Sequence, residues 1–195
     1  RDPRTHALAN SGQARIIALA DDRAVAELRA ELETFVCDGQ YGDAIERIFA
    51  SYLKNLDRPK QDAAWVSGFF GSGKSHLLKM LGHLWVDTQF PDGASARSLV
   101  PNLPDNVIAH LRELDMQVTR SRRPAVAAPG TLPAGSAEFV KMTVLSVILE
   151  AQMLPQQYAQ ARFCFWLMEQ GFYDRVRGAI ETAGKEWLKE LNNLY

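Results

Sequence analysis

The sequence predicts an α/β fold: a parallel sheet that carries a phosphate-binding loop, helices ahead of it and a largely helical segment behind it. Three observations predict this. The run Gly68-Phe69-Phe70-Gly71-Ser72-Gly73-Lys74-Ser75 matches the pattern of glycine, four residues, then Gly-Lys-Ser. Its setting matches too, because apolar Ala63, Ala64, Trp65 and Val66 lead in as a strand would and an amphipathic helix pattern opens after Ser75. Further on, Pro124 to Ala128 (PAVAA) suits a short buried second strand.

The residue types in the loop follow from the chemistry of binding a phosphate. Glycines let successive backbone N–H groups turn toward an anion with no Cβ in the way. The following helix adds its unsatisfied amides and the positive end of its dipole. Lys74 would reach the outer phosphates as a point charge, and the Ser75 hydroxyl would ligate Mg²⁺ beside them. The alternative is a chance glycine-rich turn. With glycine at about 7% of residues, the four fixed positions coincide in roughly 1% of chains this long, and the flanking strand and helix patterns lower that further. The expected ligand is a nucleoside triphosphate with Mg²⁺.

Composition narrows the class. The chain has 195 residues, 47% of them hydrophobic, enough to bury a sizeable core. A net charge of −1 gives no global basic field of the kind that advertises nucleic acid. Cys37 and Cys164 stand far apart without metal-ligand spacing and read as small apolar packing residues. Val144 to Leu149 is the longest apolar run and is far too short to cross a bilayer. The chain opens on Arg1 rather than Met and stops at Tyr195 in mid-pattern, so a piece of something longer is expected.

In order along the chain, residues 1–59 are expected to form a helical region, residues 60–153 a partial nucleotide-binding core, and residues 154–195 a helical segment expected to continue beyond. Arg15 to Ala20 is strand or helix. A helix is predicted from about Arg23 to Val36, with Val25, Leu28, Leu32, Phe35 and Val36 on one face and Gly39 ending it. Asp43 and Glu46 then suggest a capping box for a second helix striped by Ile45, Ile48, Phe49, Tyr52, Leu53 and Leu56. The two should form a hairpin that packs on the nucleotide core. A sharper alternative brings residues near Arg4 to Arg15 up to the base.

After the loop, Ser75 to Asp87 should be helical, with Leu77, Leu78, Leu81, Leu84 and Trp85 inward and His76, Lys79 and His83 on the other face. His76 counts with the loop residues and receives no catalytic role. Gln89 to Pro104 reads as a surface excursion, and a helix follows from Asp105 to about Met116. Arg120, Arg122 and Arg123 form a small basic cluster, more often a solvated loop than a phosphate or nucleic-acid contact. The loop after PAVAA would lie at the carboxyl end of its strand and so line the same crevice as the glycine-rich loop. Helices are expected over Ala137 to Met153, Pro155 to Glu169, from near Asp174, and over Lys185 to Tyr195. The aromatics Phe163, Phe165, Trp166, Phe172 and Tyr173 read as core.

Hydrolysis needs an acidic residue at the end of another strand to hold the metal's shell. No apolar strand ending in paired acids follows residue 100, so no catalytic residue is assigned. Three classes remain: an ATPase whose carboxylates lie elsewhere, a nucleotide-gated scaffold that does not hydrolyse, and a small-molecule P-loop kinase. The kinase fits least, because over sixty residues precede the loop.

The run WVSGFFGSGKSHLLKML resembles the nucleotide loop of the large P-loop ATPases of BREX phage-defence systems, the BrxC and PglY family. Gly68-Phe69-Phe70 is the most discriminating part, since most such loops lack paired aromatics there. ELRAELETFVCDGQYGDAIERIFASYL upstream is similar to that family's amino-terminal helices, and VAAPGTLPAG and LPQQYAQARFCFWLMEQGFYDRV are more loosely similar to later stretches. The resemblance implies a cytoplasmic ATPase with an AAA-like core that binds ATP and Mg²⁺. It also implies action beside other phage-defence proteins, including a DNA methyltransferase; DNA reached indirectly and further copies of the chain are counted separately among the expected partners. It carries the phosphate-binding roles onto Gly68, Gly71, Gly73, Lys74 and Ser75. With Ser72 and His76 these make the candidate cofactor site, with Ser75 as metal ligand.

Overall fold

The computed structural model describes residues 22–56, 58, 62–121, 124–132 and 134–193. Among them are nine α-helices: α1 (Asp22–Thr34), α2 (Gly39–Asn55), α3 (Lys74–Val86), α4 (Ala96–Leu99), α5 (Asp105–Ser121), α6 (Ala137–Ala151), α7 (Tyr158–Glu169), α8 (Tyr173–Thr182) and α9 (Trp187–Asn192). The described residues contain no β-strand. An isolated antiparallel bridge joins Gln89 to Ser95. The expected α/β fold with a parallel sheet is therefore wrong, and the described chain is all-α.

The failure has a physical basis. A strand exists through its ladder, and strands of parallel sheets are covered on both faces. Ala63 to Val66 have the apolar composition of such a strand but neither the ladder nor the cover. Ala63 and Ala64 are exposed, Val66 is half-buried, and Trp65 is 91% exposed. Residues 124–128 form no strand either, so the reason for bringing the loop after them toward the glycine-rich loop falls away. Arg15 to Ala20, the segment Arg4 to Arg15, and Arg122 and Arg123 lie outside the described residues.

The chain divides into two compact units, residues 1–125 and 126–195. In the first, Leu28 and Leu32 of α1, Ile45 and Phe49 of α2, and Leu77, Met80, Leu81 and Leu84 of α3 share one core with Phe90, Ala96, Val100, Val107 and Leu111. Each of these side chains larger than alanine contributes about 1.5–3 kcal/mol by leaving water. The principal partner of α2 is α5, and α1 packs against α4. The expected α1–α2 hairpin is replaced by an arrangement in which each helix has its own downstream partner.

Several local expectations shift. The helix α2 starts at Gly39, so Asp43 and Glu46 lie inside it rather than at its cap. Asp38 is the N-cap residue and makes no side-chain cap bond. The stretch 89–104, expected as a surface excursion, instead packs into the core. It contributes Phe90, Ala96 and Val100, and α4 opens with a capping box between Ser95 and Ser98. The helix α5 runs on to Ser121.

The helix α3 faces differently from its predicted stripe. Leu78 is 56% exposed, whereas Lys79, Met80 and His83 are buried. Lys79 can be buried because Glu31 of α1 supplies a carboxylate 2.5 Å from its ammonium. The carboxyl end of α3 is closed by Arg97. Its guanidinium donates to the Leu84 carbonyl at 2.8 Å and the Trp85 carbonyl at 3.1 Å, and reaches both Asp115 oxygens on α5 at 2.8 Å. Carbonyls that a helix end leaves without partners are thus met by a charged donor.

In the second unit, Leu149, Leu154, Ala161, Cys164, Leu167, Trp187 and Leu191 form the core, with Phe163 and Tyr173 packed against it. Phe165, Trp166 and Phe172 are 40%, 51% and 46% exposed, so the aromatic group is only partly core as expected. Gln160, fully buried, donates to the Leu191 carbonyl at 3.3 Å and the Asn192 side-chain oxygen at 3.1 Å, which ties α7 to α9.

Candidate phosphate-binding loop

The glycine-rich octet folds as a tight loop on the amino end of α3. Two of its glycines take conformations that other residues adopt only with strain: Gly71 at φ +80° and Gly73 at φ +79°. Gly73 is the N-cap residue, and its carbonyl accepts the Leu77 amide at 2.8 Å, so α3 begins directly at Lys74. A turn closes the loop upstream, where the Ser72 amide donates to the Phe69 carbonyl at 3.2 Å.

Lys74 folds back over this loop. Its ammonium donates to the Gly68 carbonyl at 2.9 Å and the Phe69 carbonyl at 2.7 Å, and it lies 3.4 Å from the Ser72 hydroxyl. An ammonium has three donors and no acceptor, so these contacts use its capacity within the loop. A phosphate would take the place of these oxygen partners, exchanging neutral carbonyls for an anion. Gly68 sits close enough that an added Cβ would lie 2.7 Å from the Ser72 hydroxyl oxygen. Gly68, Ser72 and Lys74 are therefore brought together around one ammonium.

The other candidates lie differently. Ser75 is exposed in the first turn of α3. His76 is half-buried, with its ring edge-on to Phe35 at 5.7 Å between centroids. Burial lowers the affinity of His76 for a proton; Glu31 opposes that shift and Lys79 adds to it. Phe69 and Phe70, which mark the resemblance, are at least 92% exposed. Among the described residues, no group of three His, Cys, Asp or Glu side chains stands where it could hold a metal ion. Mg²⁺ at Ser75 would therefore be held chiefly by the phosphates and water, as is usual for this ion beside a nucleotide.

Two features leave no mark in the sequence pattern. Tyr41 of α2 donates its hydroxyl to the Ser72 carbonyl at 2.7 Å, across 31 residues. No spacing rule links a tyrosine between Gly39 and Gly42 to a loop that far on. Asp62 accepts the Ser51 hydroxyl and the Asn55 amide, each at 2.8 Å, and so ties the approach to the loop onto α2. A cavity of about 460 Å³ lies along this approach, lined by Arg47, Ile48, Tyr52, Asp62 and Trp65 among others. None of the residues from Gly68 to Ser75 lines it, so it is not the phosphate site. No protein-family model matches the chain, and no solved structure matches it.

Proposed function

We propose that this chain binds Mg·ATP, holding the triphosphate with the loop Gly68–Ser75. The observation that carries the proposal is a full phosphate-loop sequence whose Gly71 and Gly73 both take left-handed φ directly ahead of a helix beginning at Lys74. That combination offers backbone amides, a helix amino end and a lysine to one anion. Gly68, Gly71, Ser72 and Gly73 would supply the backbone cradle. Lys74 would exchange its carbonyl partners for the outer phosphates, and Ser75 would ligate Mg²⁺.

The choice of ATP, and a place as an ATPase in a BREX-type phage-defence system, are supported by the likeness of WVSGFFGSGKSHLLKML to that family's loop. On the same ground the protein works in the cytoplasm beside other defence proteins. Among the described residues no helix is long and apolar enough to cross a membrane.

Calorimetry with Mg·ATP on the full chain and on Lys74→Ala tests the site. Binding by the parent chain and its loss in the variant are expected; equal affinity in both would sink the assignment. Phosphate release from bound ATP would then favour the ATPase over a scaffold that only binds.

A further inference from the structure

The Tyr41 hydroxyl touches the loop at a peptide unit that a bound phosphate would use. It donates to the Ser72 carbonyl at 2.7 Å. Its oxygen also stands 2.7 Å from where a Cβ on Gly73 would be, an approach that glycine allows and any other residue would obstruct. The peptide between Ser72 and Gly73 is planar and trans, as no cis bond occurs among the described residues. In a trans unit the C=O and N–H point in opposite directions, so anchoring the Ser72 oxygen on α2 also sets where the Gly73 amide points. Gly73 has no Cβ to resist rotation of that unit. The Lys74 ammonium does not supply the anchor, because it engages the Gly68 and Phe69 carbonyls and the Ser72 hydroxyl.

We infer that Tyr41 is a positioning residue for the triphosphate: by holding the Ser72 carbonyl it keeps the Gly73 N–H turned toward a bound phosphate. The inference rests on the phosphate site proposed above. Ordering this unit in advance removes part of the cost that binding would otherwise meet. The same contact couples α2 to the ligand, since a bound phosphate and Tyr41 grip the two ends of one rigid unit.

The test is Tyr41→Phe in the full chain, which removes one hydroxyl and keeps the ring. Affinity is measured for Mg·ATP and for inorganic triphosphate, with the thermal midpoint recorded alongside. Loss of one hydrogen-bond anchor predicts about three- to tenfold weaker binding. The factor should be the same for both ligands, because the anchored amide meets phosphate and not base. Replacement of Tyr41 by 4-aminophenylalanine, which restores a donor at the ring's end, should recover the affinity. Lys74→Ala serves as the reference. If Lys74→Ala abolishes binding while Tyr41→Phe binds as the parent does, Tyr41 has no positioning role. A loss for ATP alone, or one that 4-aminophenylalanine leaves uncorrected, overturns the inference equally, whether or not the thermal midpoint also falls. A parent chain that binds neither ligand removes the phosphate site itself and the inference with it.

Discussion

Lys79 of α3 and Glu31 of α1 form an ion pair at 2.5 Å, with the lysine side chain 4% and the glutamate 21% exposed. The pair fastens α3, at whose amino end the candidate phosphate loop lies, to α1. A charge this deep persists only while its partner is present. Lys79→Met should therefore cost about 2–4 kcal/mol, because it strands a carboxylate in a largely dry site. The double variant Lys79→Met with Glu31→Leu should regain most of that loss. Denaturant unfolding of the four proteins in the cycle measures both, and additive costs would contradict the coupling.

Arg97 joins three elements, and its substitution should show it. Arg97→Ala removes a two-pronged contact to Asp115 and two donors to the end of α3, and should lower stability by about 2–3 kcal/mol. Arg97→Lys should recover little, since a single ammonium nitrogen cannot stand at the three places where the separate guanidinium nitrogens meet the Leu84 carbonyl, the Trp85 carbonyl and Asp115. Recovery by lysine in a chemical-denaturation series would mean that charge alone matters at this position.

His83 makes the first unit sensitive to acid. Burial, with a smaller push from Lys79, lowers its pKa to about 4, and its Nδ1 lies 2.8 Å from the Thr88 hydroxyl. An unfolded histidine titrates near 6.5, so between about 6.5 and 4 the unfolded chain binds the proton and the folded one resists it. Stability is fully present above the unfolded value and falls as pH drops through this window, by about 2–3 kcal/mol at its foot. His76, shifted in the same direction, adds to the fall. In His83→Asn the unfolding free energy between pH 7 and pH 4 should decline less steeply than in the parent. Parallel curves would exclude His83 as the source.

Gly71 and Gly73 have the same φ within a degree but different surroundings. A Cβ on Gly71 would meet nothing within 4 Å, whereas one on Gly73 would meet the Tyr41 hydroxyl at 2.7 Å. Gly71→Ala should cost only the left-handed strain, roughly 1–2 kcal/mol. Gly73→Ala should cost more, and adding Tyr41→Ala to it should bring the two glycine variants closer together. Equal costs for the two single variants would show that Tyr41 exerts no constraint there.

Both thiols should be slow to modify in the folded chain. Cys37 and Cys164 are buried, and burial pushes both thiols up from their ordinary pKa, with Asp38 adding to the effect at Cys37. At neutral pH a disulfide reagent should react with neither until denaturant is added. Rapid labelling of the native protein would place a thiolate at the surface.

Helix patterns were largely readable from the chain itself. Leu28 and Leu32, Ile45 and Phe49, and Val107 and Leu111 recur at the spacing that puts apolar groups on one side of a helix, and all are buried. The octet Gly68 to Ser75 was readable as well, because its glycines meet a local backbone need that two of them satisfy at positive φ. These are short-range matters, settled within a few residues by sterics and periodicity. Tertiary structure decided the rest. Trp65 and Val66 have the composition of a strand, yet a strand requires partners that composition cannot supply. Lys79 and His83 look like surface residues until Glu31 and Thr88 are brought beside them, and Leu78 looks buried until α3 turns it outward. Tyr41 reaches Ser72 only because α2 is laid beside the loop. Contacts between residues far apart in sequence leave no periodic trace, and the surroundings of the candidate site are made of such contacts.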